Sequence, residues 1–598
     1  MSKPRLILAA AIATFLLLTL LDRFKVIELL ALRAALPLAL ASIEAVAVVG
    51  AGFAVRGLRG RVWRVHEESG ALDLPLDFIL GYPIFGTLCF LIATMRIATW
   101  TMLPLLAIGA IFGLYAIARW REGVRQAPSP VEAPPPVKAP SPAEADSRGR
   151  LSYTVIALVF LCAFIAALAP PFSLDELAYH LAVPKVWLLE GRAIALPLLS
   201  HSYFPLGIES ADLPFLTLLG DEGGIASHFL HLFAAIATTM LIQRRAKNLL
   251  ITAAIVTTPA LAITAGWSLV DFPLLGICVA LWLALEQDDD TTAAAAIGAG
   301  LLTKYTFIPF ALVALIAARR WRPALPGLLI GSVFFIRNLL IAGNPIAPFL
   351  AAGAPHVANY RGGAYLADYV FDPKFLDESL GASMLTLAPL AGGVIPFALL
   401  AAGIALFVLA PSARLLIPFF AVPAMSATTE RRWIRWFLSI AIAVQTLLVV
   451  YMTMQSDAFS LLVSESEQSF LAKQRPSYAS VAWLNATLPE NSRTLVIGSG
   501  ESFWFSRRVR AGGNFDSDRI SSYLAAPTPE ALRERLRGDG ITHIAVISVT
   551  APATGVAQKI EERQTRLTPA AQRMLSGLLD RYAMSVTGRG NATLFTLK

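Results

Sequence analysis

The chain has 598 residues, 56% of them apolar and only 15% charged, with mean hydropathy +0.63 and a formal net charge of +8. A soluble protein of this length carries roughly 25% charged residues, so the composition excludes an ordinary soluble enzyme and implies a multi-span membrane protein. The positive charge calls for no nucleic acid, because Arg and Lys collect in short segments between apolar runs. Cys89, Cys162 and Cys278 all lie inside such runs, which excludes a disulfide framework or zinc spacing.

An apolar run of about 20 residues spans a bilayer as a helix, and runs without alternation exclude barrel strands. Along the chain, "MSKPR" and "LILAAAIATFLLLTLL" imitate a signal peptide, but "LDRFKVIELL" follows where a small-residue cleavage site would stand, so an uncleaved anchor is expected. Spans are expected at 5–22, 27–54, 76–95, 99–118, 152–169, 224–242, 248–265, 268–286, 323–341, 383–409 and 433–453. Two shorter pieces, 292–303 and 305–318, meet at "TKYT", and a weak piece covers 412–424. The fold class is mainly α, a polytopic membrane helical bundle with a small C-terminal α/β soluble domain.

The domains read as a membrane piece over 1–122 of about four helices, a Pro-rich linker over 123–150, a transmembrane core over 151–453 and a soluble α/β domain over 454–598. The linker stretch "QAPSPVEAPPPVKAPSPAEADS" is extended and unpacked by composition. In the last domain "SRTLVIGSG", "ITHIAVISV" and "NATLFTLK" read as strands, and "TPEALRERLRGDG" as a helix with a glycine stop.

Basic residues set the orientation. Clusters at Arg56, Arg59, Arg61 and Arg64, at Arg119, Arg121 and Arg125, at Arg244, Arg245 and Lys247, and at Arg319, Arg320 and Arg322 fall on one side if 292–318 is a hairpin pointing the other way. That side is the cytoplasm, so loop 170–223, Lys304 and "GNPIAPF" face outward. The sequence leaves the side of the C-terminal domain open: counting 412–424 as a span would put it in the cytoplasm.

The outward loop opens with "PPFSLDELAYHLAVPK". "PPF" cannot continue a helix, and "SLDE" has the capping-box pattern, so a helix is expected from Ser173. Glu176 then has a bland explanation, reaching back to the Ser173 N–H; the cap leaves the Asp175 carboxylate free. Spacing of i, i+4 sets Asp175 beside Tyr179 and Glu176 beside His180 on an amphipathic helix at the surface. Asp271 in "SLVDFPL", Lys304 in "GLLTKYT", and Arg337 and Asn338 in "FFIRNLL" bring further polar groups to the same membrane face. Ionisable groups at membrane depth are costly and point to function, with snorkelling to the interface as the bland alternative. Acids and bases around an outer-leaflet cleft suit a substrate with an anionic head and an apolar tail.

The stretches "DELAYHLAVPKVWLLEGR", "HSYFPLGIESADLPFLTLLGDEGG", "SLVDFPL", "GLLTKYT" and "FFIRNLLIAGNPIAPF" resemble the bacterial GT-C glycosyltransferases, the multi-span enzymes related to protein mannosyltransferases and lipid A aminoarabinose transferases. The resemblance covers residues 150–350, and 383–598 in layout only; the N-terminal helices and the linker are not part of it. It implies a polyprenyl-phosphate sugar donor, a cell-envelope acceptor (glycan, lipid or protein), a lipid bilayer setting in the bacterial inner membrane and an inverting transfer at the outer face. It makes Asp175 the general base. Glu176, Tyr179, His180, Lys185, Asp271, Lys304, Tyr305, Arg337 and Asn338 become substrate-binding candidates, with Lys304, Lys185 and Arg337 as cations for the leaving phosphate. No cofactor is implied. A divalent metal is left open, since Asp175, Glu176 and His180 could supply ligands but match no motif of defined spacing.

Other features weigh less. His228 and His231 in "SHFLHLF" read as packing rather than metal ligands. "IGSGESF" resembles a nucleotide loop but lacks a third glycine and a following helix. "ERRWIRW" anchors a span end or touches a phosphate. Two rival functions stand beside transfer: a transporter or flippase of a lipid-linked sugar, which would place charges at mid-membrane in broken helices, and a non-catalytic partner of transferase fold.

Overall fold

The computed structural model describes residues 26–57, 73–126, 142–349, 380–392, 394–409, 413–462, 466–513, 516–548 and 567–597. The expected first span, 5–22, and most of the proline-rich stretch lie outside these residues.

Helices Val26–Gly57, Leu74–Met95 and Thr99–Gln126 form an N-terminal layer. Helix Leu74–Met95 starts where Asp73 accepts from Leu76 N. Small residues let these helices approach closely, as membrane helices require where lipid offers no hydrophobic driving force. A Cβ at Gly86 would lie 1.7 Å from the Gly207 carbonyl, so this glycine fixes the layer directly against the loop after the core's first span. The layer is therefore packed on the core.

The core follows as helices Pro142–Ala167, Gly223–Ala246, Asp271–Glu286, Asp290–Thr303, Phe307–Ala318 and Arg432–Gln455, with two bent pairs. Leu249–Val256 and Pro259–Gly266 meet at 72°, at a proline that cannot continue the hydrogen-bond ladder. Ala324–Gly331 and Val333–Ala342 meet at 54°, at a Gly–Ser pair. Among the described residues, five helices are long and apolar enough to cross a membrane, or seven if each bent pair counts as one span.

Ion pairs gather members of three basic clusters at one end, while Arg59, Arg61 and Arg64 lie outside the described residues. Arg56 binds Asp77, Arg244 binds Asp73, Arg245 binds Glu286, and Arg320 binds Asp288 and Asp290. Asp289 caps Asp290–Thr303 by accepting from Thr291 N and Thr292 N. The other end carries the loop that begins at residue 170.

The C-terminal unit holds a mixed sheet of order β2-β1-β3-β5-β4. Its strands are β1 (Arg493–Ile497), β2 (Arg508–Arg510), β3 (His543–Ile547), β4 (Ala583–Arg589) and β5 (Ala592–Leu597). β1 runs parallel to β2 and β3; β3–β5 and β5–β4 are antiparallel. The three strands and the helix expected from sequence are present as β1, β3, β5 and Pro529–Gly538. This unit sits on the loop end: Arg493 and Arg510 both bind Glu190, at 2.7 and 2.9 Å. The run expected as one span at 383–409 is not continuous. It divides into Gly381–Leu387 with a 3₁₀ turn and Val394–Leu409. Helix Ala413–Ala424 then leads from Arg414 at the loop end to Ser426 and Thr429, which bond Arg245 and Asn248 at the basic end.

Candidate active site

After Pro170 and Pro171 the chain re-forms helix at Ser173, but not as the surface helix expected. The capping box is made: Ser173 N donates to Glu176 Oε2 at 3.0 Å and Glu176 N to Ser173 Oγ at 3.4 Å. The next turn, Glu176–His180, is a π-helix, with Leu181 N bonded to Glu176 O. π-turns are rare and are found at functional sites.

Glu176 points inward and is fully buried. Its Oε1 accepts from Ser268 N at 2.7 Å and meets His228 Nε2 at 2.8 Å. Burial pushes its carboxyl up, but the His228 charge and hydrogen bond, with the Ser268 and Ser173 N–H groups, hold it below the ordinary 4.5. His180, expected beside it at the surface, is also buried, with Nδ1 2.8 Å from Glu209 Oε1. Burial, Lys304 and Arg414 keep this imidazole well below its usual 6.5, hence neutral. The amphipathic surface helix is thus corrected: the capping carboxylate and the histidine both have partners in the interior.

Asp175 faces the other way. Its side chain is 35% exposed, and Oδ2 accepts from Arg414 Nη1 at 2.8 Å. The same guanidinium binds Asp271 Oδ2 through Nη2 at 2.7 Å and Nε at 3.2 Å. Burial pushes the Asp175 carboxyl up; Arg414, then His201 and Lys304, bring it below 3.8. Asp175 Oδ1 makes no hydrogen bond among the described residues. Lys304, half-buried at the end of helix Asp290–Thr303, acts electrostatically on Asp175, Asp271 and Glu209 and forms no ion pair among the described residues. Tyr179 stacks on His201, ring centroids 4.4 Å apart, and closes one wall.

The remaining candidates divide. Tyr305 and Asn338 tie the helices to the loops: Tyr305 donates to the Tyr203 and Ala347 carbonyls, and Asn338 donates to Tyr203 O and Tyr305 Oη. Arg337 donates to Ser202 O at 2.7 Å and lies over the Phe334 ring at 5.1 Å. Lys185 is drawn elsewhere, paired with Asp221 and 6.0 Å above the Phe503 ring. His231 bonds Tyr82 at 3.1 Å and His228 bonds Glu176 at 2.8 Å, so both are buried with polar partners. Among the described residues no three His, Cys, Asp or Glu side chains converge as a metal site. "IGSGESF" follows β1 with Gly498 at φ +88°, where a Cβ would lie 2.1 Å from Ile547 O; close strand packing accounts for that glycine.

Sequence reasoning missed Arg414. It stands at the head of "RLLIPFFAVPA", and a basic residue at the end of an apolar run ordinarily reads as an anchor. Its partners, Asp175 and Asp271, lie far away in the chain, so no local signal marks it. His201, Glu209 and Asp516 were missed as well, since each needs the fold to find its partner.

Chemically, the site offers a carboxylate with one oxygen open to solvent, a guanidinium fixed by two acids, and a lysine without an ion pair among the described residues. It can take a proton at Asp175 and hold an anion near Lys304.

No protein-family model matches the chain, and no curated protein matches it. Among solved structures it is similar to the crystal structure of ArnT from Cupriavidus metallidurans bound to undecaprenyl phosphate, at TM-score 0.41 and 12% identity, over 75% of this chain and 98% of that one. It is likewise similar to the apo state of the same protein, at TM-score 0.41 and 14% identity, over 76% of this chain and 98% of that one.

Proposed function

We propose that this protein is an integral membrane glycosyltransferase that moves a sugar from a polyprenyl-phosphate donor to a cell-envelope acceptor, at the outer face and with inversion. The observation that carries the reading is the line Asp175–Arg414–Asp271, with Lys304 beside it, at the loop end of the core.

In this reading the acceptor hydroxyl bonds Asp175 Oδ1. Its oxygen attacks the anomeric carbon while the bond to the donor phosphate breaks on the opposite side. The hydroxyl proton passes to Asp175, and the electron pair of the broken bond stays on the phosphate. A carboxylate held below 3.8 is a weak base, yet it suffices, because the hydroxyl becomes strongly acidic as its oxygen bonds to carbon. Arg414 keeps Asp175 ionised and aimed. Phosphate needs no proton to leave; Lys304 offsets its growing charge. Arg337 is a second cation for the phosphate, and Tyr179, Asp271 and Asn338 shape the cleft.

The test is transfer in nanodiscs from a panel of polyprenyl-phosphate sugars, with envelope glycans and lipids of a deletion strain analysed by mass spectrometry to name the acceptor. Lys304→Ala is expected to lower donor use in a folded protein, and Lys304→Arg to retain part of it. Normal transfer by Lys304→Ala would move the phosphate site to Arg337. Outer-face chemistry is tested separately, in a cysteine-free background. Arg192→Cys is expected to react with an impermeant thiol reagent in intact cells, and Asp288→Cys only after lysis; the reverse pattern would overturn the orientation.

A transporter reading has one observation in its favour. Glu44 is fully buried within Val26–Gly57 and both its carboxylate oxygens lack partners among the described residues. It predicts movement of lipid-linked sugar across the bilayer and no transfer by the purified protein.

A further inference from the structure

The Asp175 turn is completed by a part of the chain more than 300 residues away. In an α-helix Leu177 O would receive Leu181 N. The π-turn directs that N–H to Glu176 instead, and an interior carbonyl deprived of its helical donor needs another. Ser502 N and Phe503 N supply it, at 2.9 and 3.3 Å. Both belong to "GESF", the segment after β1. On the other flank of Asp175, Arg475 Nε donates to Phe172 O, while its Nη1 meets Glu501 at 3.5 Å.

The facing wall is held from the same domain. Asp516, fully buried, accepts from Ser200 N at 3.1 Å and from Gly513 N at 2.7 Å. Arg519 donates to Pro197 O at 3.0 Å and lies 5.5 Å over the Tyr203 ring. Ser200–Tyr203 is the short turn that carries His201 onto Tyr179.

We propose that the C-terminal α/β domain is a positioning element of the cleft, with Arg475 and the Ser502–Phe503 backbone fixing the Asp175 turn and Asp516 fixing the His201 turn. The domain therefore acts on the reaction through the loop. Glu190, which binds Arg493 and Arg510, anchors the same domain beyond the turn without touching it, and so serves as a control for general loosening.

The kinetic arm of the test rests on Asp175 as base; the structural arm does not. Amide hydrogen exchange is followed on the full chain in nanodiscs for wild type, Arg475→Gln, Arg475→Lys, Asp516→Asn and Glu190→Gln. Arg475→Gln should speed exchange across 176–182 by roughly tenfold to a hundredfold, as expected for losing one charge-assisted hydrogen bond. Arg475→Lys should reverse most of this. Asp516→Asn should act on 200–204, and Glu190→Gln on neither segment. Where sugar transfer is measurable, Arg475→Gln should lower kcat at unchanged donor KM. Unchanged exchange in Arg475→Gln and Asp516→Asn, or an equal rise in Glu190→Gln, would overturn the positioning role. If the exchange pattern holds but wild type transfers no sugar, the transferase reading fails and the positioning role stands.

Discussion

Asp175 and Glu176 are neighbours in sequence and opposites in structure. Asp175 keeps one oxygen toward the cleft and is tied through the other to Arg414. Glu176 has both oxygens engaged, by Ser173, Ser268 and His228, in a fully buried pocket. Successive positions of one helical turn point the two carboxylates in different directions. The same chemical group thus keeps a lone pair open at one position and has every oxygen engaged by the protein at the next.

The contrast can be broken most severely at Arg414. Arg414→Met removes the cation between Asp175 and Asp271 and breaks the ion pair of the buried Asp271 carboxylate, a loss of about 3–5 kcal/mol for a buried pair. Partial solvation of Asp175 reduces its own share. Transfer should fall below detection, and the melting curve followed by tryptophan fluorescence should move down. A variant with wild-type transfer would remove Arg414 from the site.

Glu176→Ala comes next. It strands the Ser173 and Ser268 N–H groups and His228, at about 1–3 kcal/mol for each group left unsatisfied, so the protein should express poorly or melt early. Glu176→Gln sharpens the point. Glutamine keeps the shape and can cap a helix, but it offers one acceptor oxygen where two are used, so about 1–3 kcal/mol should still be lost. In the folded fraction, transfer per molecule should be near normal. If Glu176→Gln instead lost transfer while melting like wild type, the division of labour between the two acids would be reversed.

The smallest effect is in pH. His180 and His201 both sit below 6.5 in the folded chain, through burial first. In the unfolded chain they take protons below about 6.5, so stability is fully present above that pH and declines as pH falls through it. Glu176 and Asp175, also lowered, extend the loss to more acid pH, below 4.5 and 3.8. The melting temperature of wild type relative to His180→Gln should therefore fall from pH 7.5 to pH 5.5. A wild-type advantage that grows on acidification would contradict the buried, neutral assignment.

Much of the architecture was legible. The apolar runs, the basic clusters, the hairpin at "TKYT" and the three strands follow from local composition and period, which survive without knowledge of contacts. The capping box was readable because its partners are three residues apart. The π-turn was not, since nothing local says that Leu177 O will find its donors on Ser502 and Phe503. Lys185 looked like a cleft cation because it shares a loop with Asp175, yet Asp221 claims it. Arg414 looked like an anchor because its partners, Asp175 and Asp271, are 239 and 143 residues away. Local chemistry named the acids; long-range packing chose their partners.

The central claim is that Asp175 is the base of the transfer. Asp175→Asn preserves size and polarity and leaves the Ser173–Glu176 cap intact, but cannot accept the proton. In nanodiscs, with the donor and acceptor identified, the account predicts a kcat lower by about a hundredfold to ten-thousandfold, with wild-type melting to within about 1 kcal/mol. An Asp175→Asn protein that folds and turns over at the wild-type rate would contradict it and pass the role to Asp271.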